Sequence, residues 1–207
     1  MNAVPLRQRA ALQPLPITSA RLELRALAPQ DARLYCDLYM DPQTMRFIAP
    51  PLTAHQAARS FRAALRSSDP TRGRPVFLTI VARASQQSMG LCAIRQITPD
   101  SAETGVIINA AARGRGIATE SLRAAIEWAL AALAVEHVWV RIAAGNHAAE
   151  RVTRALGLVR QVVHPEPPPC SVLASREVIW YTDRNSWPGQ PYNQGPCKPG
   201  PCKQGED

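Results

Sequence analysis

The chain has 207 residues, 46% of them apolar, and carries 24 Lys and Arg against 16 Asp and Glu, a net charge of +8. That is enough apolar chain for one domain with tails, and it contains neither a run of eighteen apolar residues nor an unbroken apolar h-region near its start, which argues against a membrane span and a signal peptide. Five cysteines, an odd number, argue against a disulfide framework, so a cytoplasmic protein with reduced thiols is expected.

Excess positive charge invites a nucleic-acid reading. Arginine supplies nearly all of it, however, scattered along the chain with Lys198 and Lys203 as the only lysines, and aromatic residues that could stack on bases are 5%. An anionic small ligand fits this distribution better than DNA or RNA.

In chain order, RLELRAL (21–27) alternates apolar and polar residues and reads as a strand, and residues 28–41 read as a helix with Leu34 and Leu38 on one side. MDPQTMRFIAPPL is a proline-marked loop. Thr53 and Gln56 form a capping box for a second helix, TAHQAARSFRAALRS. PVFLTIVAR, MGLCAIRQI and ETGVIINA, separated by the polar breaks ASQQS and TPDSA, suit an antiparallel meander. GIATESLRAAIEWALAALAV is a long helix with Ile117, Leu122, Ile126, Leu130 and Leu133 on or near one face. HVWVRIAA (137–144) is another strand, and NHAAERVTRALGL a short helix with Gly157 where a left-handed cap wants glycine. After the proline-rich HPEPPPC, REVIWYT is the last strand. The order is mixed α/β, and the sheet must be partly antiparallel.

From Asn185 onward Pro, Gly, Gln and Asn dominate, a composition that cannot bury enough surface to offset its ordering entropy, so a disordered tail is expected. Its Cys197 and Cys202 form a Cys-x4-Cys pair, which alone does not complete a tetrahedral zinc site.

The stretch AARGRGIATES (111–121) joins a strand to a helix through two glycines. A glycine turn feeding a helix N-terminus presents unpaired backbone amides and the positive end of the helix dipole, a seat for a phosphate or pyrophosphate. A Walker A loop is excluded because Gly116 is followed by Ile117 and Ala118 rather than Lys and Ser or Thr. A Rossmann fingerprint is disfavoured because its third glycine position is Thr119 and the preceding strand belongs to a meander.

Arg113-x-x-Gly116-x-Ala118 resembles the Q/R-x-x-G-x-G/A motif of the GNAT superfamily of acyl-CoA-dependent N-acetyltransferases. RLELRALAPQDARLYCDLYMDPQTMRFI looks like the opening of its RimJ/RimL branch, the ribosomal-protein N-terminal acetyltransferases. ETGVIINAAARGRGIATESL looks like that branch's fourth strand and pyrophosphate loop, Asn146 with VTRALGL like its Asn-containing helix, and REVIWYTDRNSW like its closing strand. The resemblance covers residues 20–187 and implies an N-terminal extension at 1–19, an acetyltransferase domain at 20–187 and a tail at 188–207. It implies the α/β (α+β) GNAT fold: a mixed, largely antiparallel sheet of six to seven strands with about four flanking helices. It further implies acetyl-CoA as co-substrate, no metal, an amine acceptor, no membrane partner, and a monomer or homodimer.

By the same resemblance, Ile107, Ile108 and Asn109 offer strand backbone to the pantetheine arm. Arg113, Gly114, Arg115, Gly116, Ile117, Ala118 and Thr119 cradle the pyrophosphate, Asn146 holds the pantetheine or adenosine side, and Arg151 adds charge near the phosphates. The reaction is direct attack by a neutral amine on the thioester. A lysine ε-amine with pKa ~10.4 is mostly protonated at neutral pH, whereas an α-amine at ~7.7–8.0 already has a neutral fraction. Glu103, in the E-x-G of the fourth strand, is the first candidate to accept the proton, directly or through water. His164 and Glu166 are second choices. Where relatives carry a Ser or Tyr as general acid this chain has Ala149 and Thr153, so Thr153 is the remaining donor, and a thiolate can leave without much protonation. Cys92, without a local histidine to activate it, is expected in the core. The leading function is acetylation of a protein or peptide N-terminal amine; the alternatives are a small-amine acetyltransferase (antibiotic, amino acid or polyamine) and a non-catalytic acyl-CoA sensor.

Overall fold

A computed structural model describes residues 15–66, 74–161 and 177–188. Its strands are β1 (Ile17–Thr18), β2 (Leu22–Ala26), β3 (Val76–Ala82), β4 (Ser88–Thr98), β5 (Ser101–Ile108), β6 (His137–Ala143), β7 (Val159–Arg160) and β8 (Glu177–Asp183). They form one sheet in the order β1-β2-β3-β4-β5-β6-β8-β7. All neighbours run antiparallel except β5 and β6, which are parallel. The helices are α1 (Ala32–Met40), α2 (Pro42–Met45), α3 (Ala54–Leu65), α4 (Ile117–Ala132) and α5 (His147–Ala155).

The expected fold class is therefore found, with eight strands among the described residues where six to seven were expected and five α-helices where about four helices were. The additional elements are the shortest ones. β1 and β7 have two residues each and α2 four, too few for any periodicity to show. β1 also carries the sheet three residues ahead of the boundary expected at residue 20. The proline-rich segment with His164 and Glu166, and the tail from residue 189, lie outside the described residues.

Alternation along the strands assigns the helices to two faces. On one face Leu78, Ile80, Cys92, Ile94 and Ala102 pack with Ile117, Leu122, Ile126, Leu130 and Leu133, so the apolar stripe of α4 expected from the sequence is buried against the sheet. On the other, Leu91 and the flanking Phe77 and Ile107 meet Tyr35, Leu38 and Phe61 from α1 and α3. Cys92 is 1% exposed, and burial pushes its thiol up to about 12, beyond the reach of a nucleophilic role. The Thr53 capping box forms in both directions: Gln56 N–H donates to Thr53 Oγ1 at 3.3 Å, and Thr53 N–H to Gln56 Oε1 at 2.9 Å.

One buried carboxylate ties the first elements to the sheet. Asp31, 3% exposed, accepts from Arg25 at 2.7 and 2.8 Å, from Thr79 Oγ1 at 2.8 Å and from the Ala28 amide at 2.9 Å. Burial works against its charge, but the Arg25, Ala28 and Thr79 hydrogen bonds win and hold its pKa below the ordinary carboxylate range.

Candidate active site

The parallel pair β5 and β6 is joined over three positions only, Ser101 to His137, Ala102 to Val138 and Glu103 to Trp139. The joined end is fastened by the Asp100 carbonyl, which accepts from both the Glu136 and His137 amides at 2.9 and 3.0 Å. Beyond Glu103, β5 continues along β4 as far as Ile108 opposite Gly90, and β6 continues along β8 as far as Ala143. The two strands thus diverge, each keeping its outer neighbour, and a cleft of about 630 Å³ opens between Val106, Ile107 and Ile108 on one wall and Val140, Arg141, Ile142 and Ala143 on the other. Its mouth lies at the C-terminal ends of two parallel strands, where the chain turns into α4 from one and α5 from the other.

The turn into α4 explains the two glycines. Gly114 and Gly116 have φ of +73° and +76°, and Gly116 is the residue preceding the helix. That residue contributes no side-chain cap, so the first amides of α4, at Ile117, Ala118 and Thr119, are left for a ligand. The turn is braced from outside. Glu120 accepts from the Arg21 amide at 2.7 Å, from Arg21 Nε at 2.6 Å and from Ser19 Oγ at 2.7 Å, while Arg21 also donates to the Arg115 carbonyl at 3.2 Å. Burial raises the Glu120 pKa, but these bonds outweigh it and the net shift is downward.

Of the residues expected at the coenzyme site, Ile107, Ile108, Arg113, Gly114, Gly116, Ile117, Ala118, Thr119, Asn146 and Arg151 line this one cleft. Asn109 and Arg115 do not. Asn109 Oδ1 accepts from the Ala112 amide at 2.9 Å and its Nδ2 donates to the Ser88 carbonyl at 3.1 Å, so the side chain shapes the turn. Arg115 is exposed and contributes its carbonyl to the brace. Asn146 Oδ1 caps α5 by accepting from the Ala149 amide at 3.2 Å. Arg113 Nε donates to the Ile108 carbonyl at 3.1 Å and its terminal nitrogen to Thr44 Oγ1 at 2.6 Å, which draws α2 onto the cleft. Asp41 in turn caps α2 through the Gln43 and Thr44 amides.

Glu103 lies outside the lining. Its carboxylate accepts from Arg95 at 2.7 Å and contacts Arg141 at 3.3 Å through both oxygens, and Arg141 also donates to Glu177 at 3.2 Å. Four alternating charges thus cross β4, β5, β6 and β8 beneath the joined end, and only Arg141 reaches the cleft. Thr153 is 1% exposed and does line the cleft, but its hydroxyl donates to the Glu150 carbonyl at 3.0 Å. Sequence reasoning missed Arg141, although a charge inside the apolar run VWVRIAA was a signal. It also missed the turn of helix in the segment before Ile48, signalled by an Asp-Pro pair in which aspartate caps and proline takes the first helical position.

The arrangement suits a phosphate-bearing ligand with a long arm: helix N-termini and arginines at the mouth, apolar strand walls within. The fold is that of an acyltransferase. The chain belongs to the GNAT acetyltransferase family, whose domain model, "Acetyltransferase (GNAT) domain", matches residues 21–159. No curated protein matches the sequence significantly. Among solved structures, an acetyltransferase from Agrobacterium tumefaciens str. C58 is 19% identical with TM-score 0.68, over 86% of this chain and 99% of that one. A spermidine N-acetyltransferase from Vibrio cholerae, in complex with CoA and spermine, is 18% identical with TM-score 0.65, over 81% and 98%. RimL, a ribosomal L7/L12 alpha-N-protein acetyltransferase in complex with coenzyme A, is 15% identical with TM-score 0.65, over 82% and 98%. Among the described residues no helix is long and apolar enough to cross a membrane, and no three His, Cys, Asp or Glu gather to hold a metal ion.

Proposed function

We propose that this acetyltransferase transfers acetyl from acetyl-CoA to the α-amine of a peptide or protein N-terminus, in the manner of the RimJ/RimL enzymes. One observation carries the reading: among the described residues, the cleft lining contains Arg46, Arg113, Arg141 and Arg151 and no Asp or Glu. A cationic cleft without a carboxylate opposes an ammonium and offers no strong base. It suits an amine that is already substantially neutral near pH 7, as an α-amine is and a lysine or polyamine nitrogen is not.

Acetyl-CoA supplies the activated thioester. The Gly114–Thr119 amides and the Arg113 and Arg151 guanidiniums meet its phosphates, and the backbone of Val106 to Ile108 lies along its arm. A backbone amide of β5 supports the negative oxygen of the tetrahedral intermediate. The proton of the attacking nitrogen passes to water, because both oxygens of Glu103 already accept from arginines; Glu103 acts by positioning Arg141. Thr153 donates to its own helix, and the departing thiolate, with a solution pKa near ~8.5, leaves unprotonated.

The test is turnover of acetyl-CoA by the purified chain with free and α-blocked peptides and with small amines. Release of CoA with the free peptide alone, together with a 42-dalton gain (about one acetyl group) at its N-terminus, is the expected result. Release only with spermidine or another small amine overturns the N-terminal assignment.

A further inference from the structure

Resting on the acetyl-transfer reading above, the cleft contains, among the described residues, one cation matched neither by a carboxylate of the protein nor by the expected coenzyme phosphates. Arg141 is matched by Glu103 and Glu177, and Arg113 is bound to the Ile108 carbonyl and Thr44. Arg151 is placed on α5, at the mouth where the coenzyme phosphates are expected. Arg46, just after α2, has no carboxylate partner among the described residues. Its guanidinium instead lies over the ring of Phe47, 4.3 Å from the centroid, and both residues line the cleft.

That stacking matters chemically. A guanidinium lying on an aromatic face keeps its N–H edge outward, and this planar fork matches the two oxygens of a carboxylate. The ring also fixes the side chain, reducing the entropy lost when it binds. We propose that the acceptor is a primary amine carrying a carboxylate within one or two residues of the nitrogen, and that Arg46, held on Phe47, selects it. The carboxylate can be an acidic side chain near a peptide N-terminus or the α-carboxylate of a free amino acid. The same charge that receives it repels polyamines and N-termini that begin with lysine or arginine.

The experiment compares kcat/KM for peptides beginning Ala-Asp and Ala-Lys, for free aspartate and for spermidine, each with saturating acetyl-CoA. The wild type is expected to prefer Ala-Asp over Ala-Lys by about tenfold, and the ratio to fall towards one in Arg46→Gln. Because both acceptors are read on the same variant, a general loss of folding or of coenzyme binding cancels in the ratio. Arg46→Lys, which keeps the charge without the fork, is expected to restore only part of the preference. Turnover of free aspartate alone supports carboxylate selection while overturning the N-terminal assignment. A wild-type ratio at or below one, or a ratio unchanged in Arg46→Gln, overturns the proposal. Silence with every acceptor, while acetyl-CoA still binds, overturns the transfer reading and this one with it.

Discussion

Gly90 and Ile107 approach so closely that a Cβ on Gly90 would stand 2.1 Å from the Ile107 carbonyl oxygen. Here glycine is required by contact with a neighbouring backbone, in the stretch of β5 that has already left β6 and forms a wall of the cleft. Backbone cannot swing aside as the end of a long side chain can. Gly90→Ala is therefore expected to push β5 off β4, lowering stability by about 1–3 kcal/mol and weakening acetyl-CoA binding. Chemical denaturation and titration calorimetry on the same preparation read both effects; a variant of unchanged stability would mean that the strands relax freely.

Gly116 poses the opposite case. A Cβ there meets only the end of the Arg21 side chain, at 3.3 Å, but the φ of +76° disfavours any L-residue by about 1–2 kcal/mol. Gly116→Val should leave most of the sheet intact while tilting the first amides of α4, and acetyl-CoA affinity should fall at least about tenfold. Calorimetry measures the affinity, and far-ultraviolet circular dichroism checks the fold.

Asp31 sets an acid limit on stability. Its folded-state pKa lies below the unfolded value of ~3.9, so its contribution is present above that value and is lost as pH falls through the lowered folded pKa. Asp31→Asn should destabilise the protein by about 2 kcal/mol at pH 7, discounted from a fully buried pair because Arg25 keeps 28% of its side-chain surface. The loss should shrink below pH 4. Urea midpoints between pH 3 and 7 for the two proteins test the sign.

Glu103→Gln separates a proton acceptor from a positioning residue. With water taking the proton, kcat is expected to fall no more than about tenfold while the acid limb of the pH–rate profile, where the rate rises as the acceptor amine loses its proton, keeps its midpoint. Disappearance of that limb would return Glu103 to the role of base.

Much of the fold was legible because its larger elements have strong periods. The α4 stripe and the β3–β4–β5 meander came through their patterns, and the Thr53 box through its side-chain chemistry. The glycine junction was legible for a different reason: positive φ leaves a compositional mark. The charge network was not. Arg95, Glu103, Arg141 and Glu177 come from four strands, and only the register of the sheet brings them together. Glu103 alone offered the same evidence whether it was a base or one link in that chain. Arg115 fell inside the motif and Asn109 was expected to offer its backbone, yet the side chain of one turns outward and that of the other to the Ser88 carbonyl, because a motif fixes backbone course more than side-chain direction.

The three-rung seam between β5 and β6 makes the molecule a half-open book, with β1 to β5 as one leaf, β6 to β8 as the other and α4 as much of the spine. How wide the pages stand is then decided at the spine as well as at the seam. Substitutions such as Ala125→Val, wholly buried and outside the cleft lining, become a means of tuning the gap, with the coenzyme as the bookmark that reports its width.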